Sequence, residues 1–256
     1  MRAVKYAPVA ILLLAVFTAS TFPGANPRRQ AEPNLLRASA VQVQPVAALQ
    51  VLRSNPTSTL VAHATTTESV VFERATETSA VLTTLSNPTT TGGPLVFQVV
   101  DGSSDWLKVK LPIRPNGSVG WVKESSVDLT INHYRVAIDA SDHVIQVTYR
   151  GETILETEVA IGKGSTPTPI GSFYLTELLE PSSPNGIYGP FAFGLSGYSE
   201  TLQSFNGGDG VIGLHGTNDP SALGTDVSHG CVRIDNEVIT ELASLLPLGT
   251  PVRITA

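Results

Sequence analysis

Residues 212–234 read IGLHGTNDPSALGTDVSHGCVRI, and this stretch contains the most informative side chains of the 256-residue chain. A short apolar run ends in His215, and Cys231 follows sixteen positions later (231 minus 215). The segment between them contains Asn, Asp, Pro and Gly, which are typical of turns that let a chain fold back on itself. We therefore expect a strand that ends at His215 and a loop that brings Cys231 beside it.

Cys231 is the single cysteine of the chain, which excludes an intrachain disulfide and a multi-cysteine zinc site. A lone cysteine is commonly a small buried apolar residue. Its near neighbours, however, include the polar or small residues Ser228, His229, Gly230 and Arg233. The thiolate is the reactive form of cysteine, and an adjacent imidazole can take the thiol proton. We therefore predict that Cys231 is a nucleophile and that His215 is its general base.

Two further features fit acyl transfer. Gly230 allows the backbone N–H groups of Gly230 and Cys231 to point at one oxygen, as an oxyanion hole requires. Arg233 is the only Lys or Arg between positions 164 and 252, a span that holds nine Asp and Glu residues. Its guanidinium could bind a substrate carboxylate through a charge-assisted pair or form a salt bridge with Asp235.

Zinc binding is an alternative for the same residues. His215, His229 and Cys231 are all zinc-ligand types, and Asp219 or Asp226 could complete a site. Without a metal, the expected role of His229 is to order its loop by hydrogen bonding. We predict acyl transfer with no metal and no other cofactor.

Three motifs together resemble the catalytic domain of the L,D-transpeptidases. They are the stretch GKGSTPTPIG at 162–171, the histidine motif at 212–217 and the cysteine motif at 228–233. The resemblance extends over residues 132–256 and implies a β-sandwich enzyme that crosslinks peptidoglycan, with a role in cell-wall organisation and cell shape. In the family, the cysteine attacks a tetrapeptide stem and releases its terminal D-alanine. An amine of a neighbouring stem then resolves the thioester.

The resemblance also implies roles for individual residues. Cys231 is the nucleophile, His215 the base and then the acid, and the carbonyl of Gly216 orients the imidazole. The oxyanion donors it implies are Gly230 and Cys231. The substrate-binding residues it implies are Arg233, Ser228, His229, Thr217 and Tyr188, with Phe191 and Phe193 as further aromatic contacts.

The resemblance leaves the acceptor open. If water resolves the thioester, the enzyme is an L,D-carboxypeptidase. If an amine of a protein resolves it, the enzyme is a transferase that attaches proteins to the wall. The alternative of a different class is a non-catalytic wall-binding protein.

The N-terminal part of the chain predicts export. Arg2 and Lys5 precede an apolar run at 7–19 and then small residues, so residues 1–25 read as a signal peptide, either cleaved or retained as a membrane anchor. Residues 26–67 are rich in Ala, Val, Gln, Pro, Ser and Thr and predict a flexible linker. We expect an extracytoplasmic protein of the cell envelope or wall.

Residues 68–130 alternate short β-rich runs with turn clusters, which predicts a small barrel. The segment WLKVKLPIRPNGSVGWV at 106–122 resembles bacterial SH3-like domains, which implies wall binding, although Trp106 and Trp121 could simply be core. A net charge of −6 and a pI near 5.3 argue against nucleic-acid binding. The fold expected overall is mainly β, an SH3-like barrel followed by a β-sandwich with one short helix that begins near Asp235 or Asn236.

Overall fold

The computed structural model describes residues 2–3, 45–204 and 208–256. It is mainly β, which confirms the fold class expected from the sequence. Of the predicted signal segment, only strand β1 (Arg2–Ala3) is described, and it pairs with Glu180 and Leu179. The remaining residues of that segment, and residues 26–44 of the predicted linker, lie outside the described residues. No helix in the described ranges is long and apolar enough to cross a membrane.

The first unit is a seven-stranded antiparallel sheet with a short helix packed against it. The elements are α1 (Pro45–Ser54), β2 (Thr59–Ala64), β3 (Glu68–Phe72), β4 (Val81–Ser86), β5 (Val96–Gly102), β6 (Trp106–Lys110), β7 (Val119–Lys123) and β8 (Val127–Asn132). The strand order is β4-β3-β7-β6-β5-β2-β8, and a separate apolar core fills the unit.

The prediction of a flexible linker over 26–67 is wrong from residue 45 onward, because α1 and β2 occupy this part of the chain. β2 lies between β5 and β8 near the end of the sheet, and its residues 59–62 are all buried. A strand covered on both faces loses the alternation that marks a half-exposed strand, so its sequence resembles an ordinary apolar run. The β unit therefore starts at Thr59 and ends at Asn132, outside the predicted limits of 68 and 130.

The second unit contains the C-terminal half of the chain. Its elements are β9 (Tyr134–Asp139), β10 (Val144–Tyr149), β11 (Glu152–Glu158), β12 (Ile161–Gly162), β13 (Gly171–Glu180), β14 (Ala192–Tyr198), β15 (Val211–His215), β16 (Asp226–Ser228), β17 (Val232–Arg233), α2 (Asn236–Leu245) and β18 (Pro251–Thr255). Eight strands follow the order β11-β10-β9-β18-β13-β14-β15-β17, while β12 and β16 form a separate parallel pair.

The regular elements of this unit follow their sequence patterns. In β9, Tyr134, Val136 and Ile138 are buried while the residues between them are not, as a period of two predicts. Helix α2 is capped by Asp235, whose carboxylate accepts a 2.7 Å hydrogen bond from the Glu237 N–H. β11 and β12 are separate strands, since β11 ends at Glu158 and β12 begins at Ile161.

The two units are joined by buried hydrogen bonds. Tyr174 on β13 is fully buried, and its hydroxyl lies 3.2 Å from the Val96 carbonyl oxygen and 3.3 Å from that of Lys110. The Asn132 side chain donates to the Thr250 hydroxyl across 2.8 Å. A buried polar group without a partner is costly, so these bonds fix the β unit against the second unit.

Candidate active site

Cys231 and His215 are brought together by the pairing of two short parallel strands. In β15 and β17, Leu214 pairs with Val232 and His215 with Arg233. This register places Cys231, the residue before β17, opposite Gly213 of β15. The Gly213 N–H donates to the Cys231 Sγ across 3.4 Å. A Cβ built on Gly213 would lie 3.9 Å from that sulfur and 3.7 Å from the His215 Cδ2, so the two side chains flank this glycine.

His215 is buried and held in one tautomer. Its Nδ1 lies 2.6 Å from the carbonyl oxygen of Gly216. Because a carbonyl oxygen can only accept, the proton of the neutral ring lies on Nδ1, and Nε2 carries the lone pair of a general base. Burial lowers the pKa of His215 to about 4; the bond to Gly216 opposes this shift, and the Arg233 charge adds to it.

Cys231 is partly buried and is a neutral thiol at neutral pH. Burial raises the pKa of its thiol, while the Gly213 N–H and the Arg233 charge oppose that shift. The resting pair is therefore thiol and imidazole, not thiolate and imidazolium. Proton transfer from Sγ to His215 must then accompany attack on a substrate.

The loop before Cys231 is shaped by Ser228. The buried Ser228 hydroxyl donates to the Cys231 carbonyl oxygen across 2.5 Å and accepts from the Gly230 N–H across 3.0 Å. Gly230 has φ +117°, which L side chains rarely adopt, and a Cβ there would lie 3.0 Å from the Ile212 Cδ1. Ser228 therefore orders the nucleophile loop, which differs from the predicted contact with substrate.

The two predicted oxyanion donors differ in their hydrogen bonding. The Gly230 N–H is already bonded to Ser228 and is not free to bind a substrate oxygen. Within the described ranges, no hydrogen bond engages the Cys231 N–H. The Cys231 N–H is therefore the backbone donor available to a substrate oxygen. The hydrogen bond that occupies the Gly230 N–H comes from the folding of the loop and cannot be read from the sequence.

Residues 162–171 form hydrogen bonds with the loop that carries Cys231. The buried Thr168 hydroxyl accepts from the Gly162 N–H across 2.8 Å and donates to the Gly230 carbonyl oxygen across 3.0 Å. The Thr166 hydroxyl donates to the Ser228 carbonyl oxygen across 3.3 Å. A Cβ on Gly162 would come within 2.3 Å of the Thr166 carbonyl oxygen, so glycine is required for this close approach.

Arg233 lies beside the reacting pair, and its charge acts on the pKa of both His215 and Cys231. Among the residues that the structure describes, its Nε is buried without a hydrogen-bond partner. No carboxylate in the same ranges makes an ion pair with it, and Asp235 instead caps α2. The alternative of a salt bridge to Asp235 is therefore wrong, and the guanidinium has an unused donor.

The aromatic residues predicted to contact substrate separate into two groups. The Tyr188 ring lies 4.9 Å from the His215 ring, centroid to centroid, at an interplanar angle of 69°. Phe193 is fully buried in the core, and Phe191 packs against the same core. Tyr188 therefore borders the reacting histidine, whereas the predicted role of Phe193 in substrate contact is wrong because its side chain is inaccessible.

Thr217 is a buried structural residue, which differs from its predicted contact with substrate. Its N–H donates to the Asn236 Oδ1 across 2.9 Å, and its hydroxyl accepts from the Asp219 N–H across 3.0 Å. His229 is exposed beside the nucleophile. Within residues 45–204 and 208–256, no three His, Cys, Asp or Glu side chains are grouped as metal ligands would be.

Sequence reasoning missed Gly213, Thr168 and Asn236. A glycine inside the apolar run at 212–214 is a signal of close backbone approach, and it could have identified Gly213. The other two residues act through contacts with segments distant in sequence. Asn236 contacts the segment after β15, and Thr168 contacts the cysteine loop, so no local pattern marks either residue.

The C-terminal half of the chain is similar in sequence to known proteins. Residues 133–254 match the family model of the L,D-transpeptidase catalytic domain, YkuD. The YkuD protein of Bacillus licheniformis, assigned as an L,D-transpeptidase, is 34% identical over 48% of this chain and 66% of its own length. Its Bacillus subtilis counterpart is 32% identical over 47% of this chain and 65% of its own length. The matched part thus spans just under two thirds of each relative. The catalytic domain of the Enterococcus faecium L,D-transpeptidase is 25% identical over 47% of this chain and 95% of that domain, with a TM-score of 0.35.

Proposed function

We infer that the protein, whose residues 133–254 match the family model of the L,D-transpeptidase catalytic domain, is a cysteine acyltransferase that acts on peptidoglycan stem peptides. The observation that carries this proposal is that Cys231 and a buried His215 flank Gly213, while the His215 Nδ1 is bonded to the Gly216 carbonyl. A partly accessible thiol beside a base of fixed tautomer is the arrangement that covalent acyl transfer needs.

The first half-reaction forms a thioester. Nε2 of His215 takes the thiol proton as the Cys231 Sγ attacks the carbonyl carbon between the third stem residue and the terminal D-alanine. The negative charge that develops on the carbonyl oxygen is stabilised by the Cys231 N–H. Collapse breaks the C–N bond, and the same proton passes from His215 to the leaving amine of D-alanine.

The second half-reaction transfers the acyl group. An amine on a neighbouring stem gives up a proton to His215 as its nitrogen attacks the thioester carbonyl. Collapse breaks the C–S bond, forms the crosslinking amide, and returns the proton to the sulfur of Cys231. With water as the acceptor, the same steps give a carboxypeptidase, and a protein amine would attach that protein to the wall.

We assign the stem-binding contacts to Arg233 and Tyr188. Arg233 is half-buried beside the reacting pair, and its guanidinium charge is suited to a carboxylate of the stem. The Tyr188 ring lies against the His215 ring and so borders the reacting histidine.

The test incubates the protein with a tetrapeptide donor and measures its intact mass. An adduct on Cys231 together with free D-alanine supports the proposal. Cys231→Ala is the matched control and should show no adduct. Absence of an adduct on the unaltered protein would refute acyl transfer, and addition of a second stem peptide separates crosslinked dimer from hydrolysed tripeptide.

We propose in addition that residues 59–132 are an SH3-like domain that binds the cell wall. Support comes from a cluster of three half-buried aromatic residues. Phe72 pairs across the sheet with Trp121 and makes an edge contact with Trp106 at 5.3 Å between ring centroids. Partly exposed aromatic rings are suited to ligand contact. Sedimentation of the full chain carrying Cys231→Ala with purified wall tests this, since loss on further Trp106→Ala substitution is expected. Equal sedimentation of both variants would contradict it.

We further propose export through residues 1–25, with the protein acting in the cell envelope. The basic and then apolar pattern of that segment supports this. Fractionation of cells that express the full chain, with mass measurement of its N-terminus, tests both location and cleavage. Recovery of the full-length protein in the cytosol alone would contradict it.

A further inference from the structure

One peptide group next to the active site is hydrogen-bonded at both of its polar atoms. It consists of the carbonyl of Gly216 and the nitrogen of Thr217. The carbonyl oxygen accepts from the His215 Nδ1 across 2.6 Å. The N–H donates to the Asn236 Oδ1 across 2.9 Å. The same peptide plane therefore connects the catalytic imidazole to a side chain on the first turn of α2.

The Asn236 side chain is closely packed where it meets this peptide. A Cβ built on Gly216 would lie 2.2 Å from the Asn236 Oδ1, and one built on Gly189 would lie 2.3 Å from it. Real Cβ atoms do not approach an oxygen so closely, so both positions require glycine. Gly189 follows Tyr188, so the segment beside the His215 ring packs against the same amide oxygen.

We propose that Asn236 is a positioning residue that sets the tautomer and orientation of His215 through the Gly216–Thr217 peptide. The proposal rests on the acyl-transfer function proposed above. In this role Asn236 acts through the peptide and not directly on the reacting atoms. It holds the N–H of the peptide, and the peptide holds Nδ1–H of the ring, so that Nε2 is left as the base.

The physical reason lies in the rigidity and polarity of a peptide group. Because the group is planar, its N–H and C=O directions are coupled, and fixing one fixes the other. Thr217 is buried, so its N–H needs a partner inside the protein. Donation to Asn236 also polarises the peptide and strengthens its carbonyl as an acceptor. Without that acceptor, the peptide would gain by rotating towards another partner, and Nδ1 would lose its own.

The experiment compares three substitutions in the full chain. Asn236→Leu removes the acceptor at similar volume, whereas Asn236→Asp keeps an oxygen for the Thr217 N–H and adds a negative charge. Asn185→Leu is the matched control, because Asn185 lines the same surface cavity as Asn236. The readouts are the imidazole 15N chemical shifts of His215 as a function of pH, and kcat and KM for release of D-alanine.

For Asn236→Leu, we expect a mixture of His215 tautomers and a kcat about 10-fold lower, with KM within about twofold. For Asn236→Asp, we expect the Nδ1–H tautomer, a kcat within about threefold of the unaltered protein, and a raised His215 pKa. The charged or titratable groups that face His215, namely Cys231, Arg233 and Tyr188, are the same in every variant. Asn185→Leu should match the unaltered protein.

Three results would overturn the proposal. One is an unchanged tautomer and kcat in Asn236→Leu. Another is an Asn236→Asp protein whose kcat falls as far as that of the leucine variant. The third, which holds even where the leucine variant fails to fold, is an unshifted His215 pKa in Asn236→Asp. The tautomer needs no substrate, so a protein that releases no D-alanine refutes the acyl-transfer proposal and leaves this one testable.

Discussion

The backbone nitrogen of Gly213 lies 3.4 Å from the Cys231 sulfur and donates its hydrogen to it. Gly213 thus donates a hydrogen bond to the nucleophile. Because it has no side chain, it also leaves room between Cys231 and His215. Hydrogen bonding to the charged form of a group favours that form. The contact therefore offsets part of the effect of burial on the thiol.

We predict that Gly213→Ala folds normally but acylates slowly. The added methyl carbon would lie at ordinary contact distances from His215 and Cys231, and 3.2 Å from the Phe193 carbonyl oxygen. It would fill the space that a substrate carbonyl needs, so kcat/KM should fall at least about 10-fold, the equivalent of 1.4 kcal/mol. Gly93→Ala, a site distant from the thiol, is the control. Normal acylation by Gly213→Ala would show that this space is not used.

We predict that alkylation of Cys231 by iodoacetamide increases steadily through pH 9. The buried thiol has a raised pKa and His215 has a lowered one, so no thiolate–imidazolium pair exists at neutral pH. The rate should rise about tenfold per pH unit below the thiol pKa. It is measured by intact mass against time in a series of buffers. A plateau between pH 6 and 8 would instead indicate a preformed ion pair.

We predict that His215 makes the fold sensitive to acid. Its pKa is about 4 in the folded protein against 6.5 as reference, so between these values the unfolded chain binds a proton that the folded protein excludes. Stability is full above pH 6.5 and falls as pH decreases towards 4. At pH 4.5 the loss is about 2 to 3 kcal/mol.

Urea unfolding at pH 7.5 and 4.5 measures this contribution when the unaltered protein is compared with His215→Gln. His63 and His133, whose pKa values burial also lowers, are present in both proteins and cancel in the comparison. The glutamine variant should lose less free energy of unfolding on acidification. Equal losses would mean that His215 is not held neutral in the fold.

We predict that Thr168→Val destabilises the nucleophile loop. The substitution removes the hydroxyl that bridges the Gly162 N–H and the Gly230 carbonyl oxygen and leaves both groups buried without that partner. The free energy of unfolding should fall by about 2 to 4 kcal/mol. Thr168→Ser keeps the hydroxyl and is the control for the lost bonds. The bridge would be unimportant if valine and serine variants unfolded at the same denaturant concentration and acylated at equal rates.

Local sequence patterns predicted much of the regular structure. The helix expected to begin near Asp235 or Asn236 is α2, capped by Asp235, and residues 134–139 of β9 show the burial period of two that is typical of a strand. β2 was missed, because a strand buried on both faces lacks that period. β17, which is two residues long, was missed because its pairing with β15 comes from the tertiary fold and not from its own composition.

The sequence alone determined which residues could react: one thiol, one histidine within reach of a loop, and a glycine beside the thiol. Those identities depend on composition and short spacing, which a linear chain displays directly. Only the tertiary structure decided how they are used. It bonded the Gly230 N–H to Ser228 and connected His215 to Asn236 through one peptide. It also left the Arg233 Nε without a partner among the residues that the structure describes. Hydrogen bonds between distant segments depend on positions and directions in space, and these exist only once the sheet has formed.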